Sequence, residues 1–193
     1  ASLNPHTLIG HSLGGWTVGS YAIHAGKNSD KLSLKRLVLV APSGVCLKRQ
    51  EIYDWKALFY KIEDHGFEAI RPYVCKREPV WIPLIFSEIR TFFDQKEIVQ
   101  FIKSIRARDF LSRHVHQIQA KTWVIWGDED ELVPSRWMND WMTLLPEKAE
   151  AKGVYLHDCG HSPHLEKSVT TAAIIGRILS KRELHEGALG MPK

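Results

Sequence analysis

Residues 7–15 read Thr7-Leu8-Ile9-Gly10-His11-Ser12-Leu13-Gly14-Gly15, and the fold turns on how that stretch is interpreted. A short apolar, partly β-branched run gives way to Gly-His-Ser-Leu-Gly, a G-x-S-x-G pattern placed directly after a strand and directly before a helical pattern from Gly14 to Ala25. A serine at so tight a strand-to-helix turn is forced into strained backbone geometry that exposes its hydroxyl. Small residues at Gly10 and Gly14 are expected, because side chains there would collide across the turn. The helix that follows directs its N-terminal amides toward the same point, that of Leu13 first. Such amides stabilise the negative charge that develops on a carbonyl oxygen under attack. The competing reading is a Gly-rich helix entry with an incidental serine, and the rest of the chain has to choose.

Working outward, the same grammar repeats. Leu37-Val38-Leu39-Val40-Ala41 is almost wholly apolar and bounded by Lys35-Arg36 and Pro42, as strands covered on both faces are. Thr122 to Trp126 is a third strand, followed by Gly127 and a helix entered through Pro134-Ser135 and running to about Leu145. A fourth strand near Lys152 to Leu156 leads into His157–His161 and a last helix from about Lys167 to Leu179. Strand, loop and helix in alternation predict parallel βα units. The tail from Lys181 to Lys193, with Gly187, Gly190 and Pro192, is expected to fray. Between the second and third strands, residues 45–118 carry helical spacing, as at Ile98, Phe101, Ile102 and Ile105. All seven Phe fall between Phe59 and Phe110, joined by Tyr53, Trp55, Tyr60, Tyr73 and Trp81. This insertion is either a plain helical layer over the sheet or an aromatic-lined cap over a site.

With 193 residues, 44% apolar and 25% charged, the composition is that of an ordinary globular domain, and disorder is excluded as the overall state. The net charge of +4 is spread over scattered pairs such as Lys35-Arg36 and Lys48-Arg49, a solvated surface with no nucleic-acid stripe. No apolar run approaches the roughly 18 residues of a membrane span. Cys46, Cys75 and Cys159 lie far apart with no CxxC pair, which indicates neither a disulfide framework nor a zinc ribbon and favours a reducing, cytoplasmic setting. Ala1 to Thr7 shows no signal peptide.

A serine hydroxyl is a poor nucleophile at neutral pH, so an active serine demands a histidine base and a carboxylate to orient it, in the chain order Ser, acid, His. Both are present in that order. Asp128-Glu129-Asp130 lies in the loop at the carboxyl end of the third strand, and Cys159-Gly160-His161 follows the fourth. In an open parallel sheet these loops share one edge, where residues distant in sequence converge. His157, Cys159, His161 and His164 are an alternative metal cluster, but their spacing matches no standard zinc pattern, and no metal is expected. His114 and His116 read as surface or core imidazoles, and His11 as a residue that packs or positions the turn.

These three elements together resemble the C-terminal part of an α/β-hydrolase of the serine-triad type, over Thr7 to about Leu179. The resemblance implies an α/β fold, a parallel sheet flanked by helices with a helical cap insertion. It divides the chain into core 1–44 with the nucleophile elbow, cap 45–118, core 119–180 with the acid and histidine loops, and tail 181–193. It assigns Ser12 as nucleophile, His161 as base and Asp130 as acid, by the family's Gly-x-x-Asp pattern, with Asp128 as competitor; Leu13 supplies an oxyanion-hole amide. Neither cofactor nor metal is implied. The family has further strands and a second oxyanion donor before the elbow, so a longer parent protein is expected, with the elbow strand bare on one edge and the chain alone poorly active. The expected partner is a small-molecule ester with an apolar acyl or alkyl group, with no nucleic acid and no membrane span. Carbon–carbon bond hydrolases, perhydrolases and a non-catalytic binding protein are the alternatives.

Overall fold

The computed structural model describes residues 5–28, 32–84 and 86–180, so the tail from Lys181 onward lies outside the described residues. Four strands, β1 (Thr7–His11), β2 (Arg36–Val40), β3 (Lys121–Gly127) and β4 (Lys152–Leu156), form one parallel sheet in the spatial order β1-β2-β3-β4. Helix α1 (Leu13–Lys27) joins β1 to β2. Helix α6 (Trp137–Leu144) joins β3 to β4, and α7 (Pro163–Glu166) and α8 (Ser168–Leu179) follow β4.

Strand β2 shows why its sequence is so uniformly apolar. Successive side chains point to opposite faces of a strand. Leu37 and Leu39 join Val124 and Trp126 in a core with Ala22 and Ile23 of α1 and Trp137, Met138 and Trp141 of α6. Val38 and Val40 pack on the other face with Ile125, Val154 and Leu156 against Ile174 and Ile178 of α8. Both faces are covered, so alternation with polar residues would bury polar groups without partners. Strand β1 differs. Among the described residues it pairs on one side only, with β2, and Ile9 is 44% exposed.

The elements differ from the sequence reading at the helix ends. Residues after Pro134 turn before α6 begins at Trp137, because Asp130 draws the backbone of this loop around itself: Ser135 N donates to the Asp130 carbonyl, and Leu132 N and Val133 N to its carboxylate. The last helix is preceded by a separate turn, α7, with Pro163 in its first turn, where a missing N–H costs nothing.

Between β2 and β3 lie α2 (Arg49–His65), α3 (Arg71–Val74), α4 (Phe86–Phe93), α5 (Lys96–Ser104) and several single turns. Trp55, Phe59 and Ile62 of α2 are buried together with Val99 and Ile102 of α5, and Lys56 Nζ ties the pair by donating to the carbonyls of Lys103 and Ile105 at 2.8 and 2.6 Å. The insertion shares its core with the sheet. The Trp55 ring lies 6.1 Å from that of Trp137 and 6.2 Å from that of Phe110, which in turn packs 4.8 Å from Trp16 of α1.

The elbow is close-packed, with one correction to the sequence reading. A Cβ on Gly10 would stand 2.4 Å from the Gly14 carbonyl oxygen and 2.5 Å from Val18, and one on Gly15 2.6 Å from Pro42. Position 14 has no described atom within 4 Å of that point. The steric demand therefore falls on Gly10 and Gly15, because α1 packs against β1 and against Pro42, two residues after β2, on the side that Gly14 faces away from. Gly10→Ala is expected to destabilise by about 1–3 kcal/mol, whereas Gly14→Ala, in a helix, should be neutral or stabilising by roughly 0.5–1 kcal/mol. Urea denaturation of the two variants checks the contrast; equal losses would contradict it.

Candidate active site

Ser12 sits between β1 and α1 with φ 54° and ψ −121°, left-handed backbone in a residue that carries a side chain. Such a conformation costs on the order of 1–3 kcal/mol and persists only where the surroundings over-determine it. Here they do. The Ser12 amide donates to the Val40 carbonyl at 3.0 Å, and its own carbonyl accepts from Ser43 N at 3.1 Å and Trp16 N at 3.2 Å. The hydroxyl is not used to cap α1. Leu13, the first residue of that helix, belongs to the turn whose backbone N–H groups lack intrahelical partners.

Asp130 follows β3 in the loop described above. Its carboxylate accepts four hydrogen bonds: Oδ1 from Leu132 N (3.0 Å) and Val133 N (2.9 Å), Oδ2 from the Trp126 indole (2.9 Å) and from His161 Nδ1 (2.8 Å). Both partners of the last bond are buried, with side-chain exposures of 3% for His161 and 0% for Asp130. With Nδ1 donating to Asp130, Nε2 is the ring nitrogen left to face other partners. The competing carboxylate, Asp128, pairs with the exposed His157 at 2.9 Å.

The elbow and the histidine loop are joined through His11. Its Nε2 donates to the His161 carbonyl at 2.8 Å, and its ring lies 4.7 Å from that of His161 and 4.5 Å from that of His164. Burial, then the neighbouring His161 and His164, hold His11 well below the usual imidazole value of 6.5. It is neutral at pH 7, with Nε2 as the protonated nitrogen.

One cavity of about 290 Å³ is lined by His11, Ser12 and His161 together. Its polar end is formed by His11, Ser12, Ser43, His161, Ser162 and His164, with Leu13 beside them. The remaining wall is apolar and comes largely from the insertion, through Trp55, Phe59, Phe93, Phe101 and Ile105 among others. A larger cavity of about 420 Å³ opens at the other end of the strands, near Lys35 and Lys121, away from these residues. His114 and His116 do not line the smaller cavity. Among the described residues no three His, Cys, Asp or Glu side chains converge as a metal-holding group.

The structure thus brings Asp130 to His161 and lines one cavity with His161, Ser12 and Leu13. The sequence reading did not name the Trp126 indole or the His11 contact to the His161 backbone. A tryptophan before Gly127 on a strand looks like core in sequence, and its second role as a donor appears only once the loop folds back.

His11 generates a pH dependence. Its unfolded value is near 6.5 and its folded value is lower, so the unfolded chain binds the proton more readily. The contribution of His11 to stability is therefore full above about pH 6.5 and is lost as pH falls from there toward the folded value, with a slope of up to about 1.4 kcal/mol per pH unit. His11→Asn, which keeps a donor, should flatten the slope between pH 5 and 7 in urea denaturation. An unchanged slope would rule His11 out as its source.

Comparison with known proteins places these features in context. A family profile described as the alpha/beta hydrolase family matches residues 1–174. No curated protein sequence matches the chain. Among solved structures, a bacterial membrane phospholipase A is similar at TM-score 0.73 and 20% identity, over 94% of this chain and 58% of that one. An esterase from Thermogutta terrifontis gives 0.65 and 18%, over 92% and 65%. A 2-hydroxy-6-oxo-6-phenylhexa-2,4-dienoate hydrolase from Rhodococcus sp. strain RHA1 gives 0.69 and 16%, over 92% and 64%. The chain spans less than two thirds of the length of each, and at these identities the likeness is one of fold. Among the described residues no helix is long and apolar enough to cross a membrane. The profile match over residues 1–174, on a parallel sheet with a strained serine elbow, establishes that the chain belongs to the alpha/beta hydrolase family.

Proposed function

We propose that this chain carries the reacting residues of a serine hydrolase that cleaves carboxylic esters with an apolar acyl or alkyl group. The observation that carries the reading is the buried 2.8 Å bond between His161 and Asp130 beside a cavity whose wall also includes Ser12. In the proposed reaction Ser12 Oγ bonds to the ester carbonyl carbon while its proton passes to His161 Nε2. The Leu13 amide, at the positive end of α1, faces the negative charge on the carbonyl oxygen. Collapse of the tetrahedral species breaks the bond to the leaving alcohol, which takes the proton from His161, and water then hydrolyses the acyl-enzyme by the same steps in reverse. Asp130 holds the imidazole in the tautomer that this sequence needs.

The wall favours esters over the ring-cleavage products that carbon–carbon bond hydrolases of the same fold accept. The dienoate named for the Rhodococcus neighbour bears a carboxylate. No Lys or Arg is among the described residues lining the cavity, and an anion buried there would lack a counter-charge. The volume and the aromatic wall suit a neutral apolar group.

With the longest gene product that contains these residues, p-nitrophenyl butyrate should be hydrolysed and a fluorophosphonate should label Ser12. Ser12→Ala should lower turnover by at least about 10³-fold and abolish labelling, and Asp130→Asn should lower kcat by roughly 10²–10⁴-fold with the fold intact. Absence of both ester turnover and labelling in the unsubstituted protein would reject the proposal.

A further inference from the structure

Beyond the Ser12, Asp130 and His161 set lies a carboxylate with an unusual share of backbone donors. Glu166 ends the single-turn helix α7, and it accepts hydrogen bonds from four backbone amides. Two flank His161: Gly160 N, at 3.1 Å from both oxygens, and Ser162 N, at 3.3 Å from Oε1. The other two belong to the insertion: Lys76 N at 2.9 Å and Arg77 N at 3.2 Å, both to Oε2. The same insertion segment is bound on either side of this clamp. Lys76 Nζ pairs with Glu129, next to Asp130, and Arg77 pairs with Asp158 at 2.9 Å.

A second observation points the same way. A Cβ on Gly160 would stand 2.7 Å from Lys76 N and 3.2 Å from Lys76 Cβ, so the insertion backbone lies directly against the residue before His161. Val74, two residues before Lys76, lines the cavity. One carboxylate thus holds the backbone on both sides of the proposed base and fixes to it the chain that shapes the cavity wall.

We propose that Glu166 is the positioning residue of this site: it sets the placement of His161 by clamping the amides of residues 160 and 162, and locks that loop to the insertion at residues 76 and 77. The proposal rests on the reading of His161 as base and adds a residue outside the three already assigned. A carboxylate suits this place because its two oxygens offer about four lone-pair sites to four inward-pointing N–H groups. A glutamine would turn two donors against donors. Displacement of the imidazole by even about 1 Å costs on the order of 10²-fold in rate.

The test uses Glu166→Gln and Glu166→Ala in the full-length protein, with two independent readouts. The first is kinetics on p-nitrophenyl butyrate: kcat should fall about 10- to 100-fold, KM should stay within about threefold, and the rate of Ser12 labelling should fall in parallel, with Glu166→Gln the milder variant. The second needs no substrate. The His161 Nδ1 proton bonded to Asp130 should give a downfield proton resonance in the unsubstituted protein, and that signal should shift or broaden in both variants while thermal unfolding remains cooperative. Should Glu166→Ala fail to fold, the isosteric Glu166→Gln is read in its place. A kcat within about twofold of the parent together with an unmoved resonance overturns the proposal. Loss of activity in proportion to loss of folded protein, with an unmoved resonance, also overturns it. If the unsubstituted protein neither turns over the ester nor is labelled, the hydrolase reading fails, and the resonance alone decides the role of Glu166.

Discussion

The buried hydrogen bond from His161 Nδ1 to Asp130 Oδ2 joins two loops that are 31 residues apart in sequence, and the remaining features of the site are arranged around it. A carboxylate with no exposed side-chain surface is tolerable only when its lone pairs are occupied. Asp130 meets that condition with the indole of Trp126 and the amides of Leu132 and Val133, so the loop after β3 is wrapped about its carboxylate. The His161 carbonyl is bonded in turn by His11, and the amides of Gly160 and Ser162 on either side of His161 by Glu166. Rigidity of this kind suits the proton transfer proposed for His161, because the efficiency of such a step depends on reach and alignment before it depends on pKa.

The parallel sheet makes the convergence possible. Every strand runs in the same direction, so the turns after β1, β3 and β4 open on one edge, and the elbow, the Asp130 loop and the His161 loop meet there although the whole insertion separates β2 from β3. The cost of the elbow is local strain at Ser12, and it is offset by three backbone hydrogen bonds and by the close contact of α1 with β1 and Pro42. The insertion adds the apolar wall. Because Trp55 and Phe110 pack against Trp137 and Trp16, this segment is stabilised by the same burial that holds the sheet together, at roughly 1.5–3 kcal/mol for each large apolar side chain removed from water.

Much of this was legible residue by residue. The unbroken apolar run at 37–41 announced a strand covered on both faces, and both cores are present, although the strand ends at Val40 and Ala41 turns out of it with φ 41°. Gly-His-Ser-Leu-Gly after a strand announced the elbow, and Ser12 has the left-handed backbone expected of it. The choice between Asp128 and Asp130 rested on resemblance, and the two carboxylates went to different histidines. Sequence misplaced the steric need for a small residue at position 14, since which glycine faces a neighbour depends on how α1 leans across the sheet. Nothing in the order of residues pairs Glu166 with Lys76 and Arg77, 90 and 89 positions away.

The sequence by itself determined the alternation of strands and helices and the strained serine, because both follow from local periodicity and turn chemistry, while the resemblance selected Asp130 and His161 as its expected partners. Only the tertiary structure decided which carboxylate faces His161, that His11 bonds its carbonyl and Glu166 the amides on either side of it, and that the aromatic insertion lines the cavity. The physical reason is the same in each case. Hydrogen bonds and close contacts between loops depend on the path of the backbone through space, and that path is set by packing between elements, which no short stretch of sequence encodes.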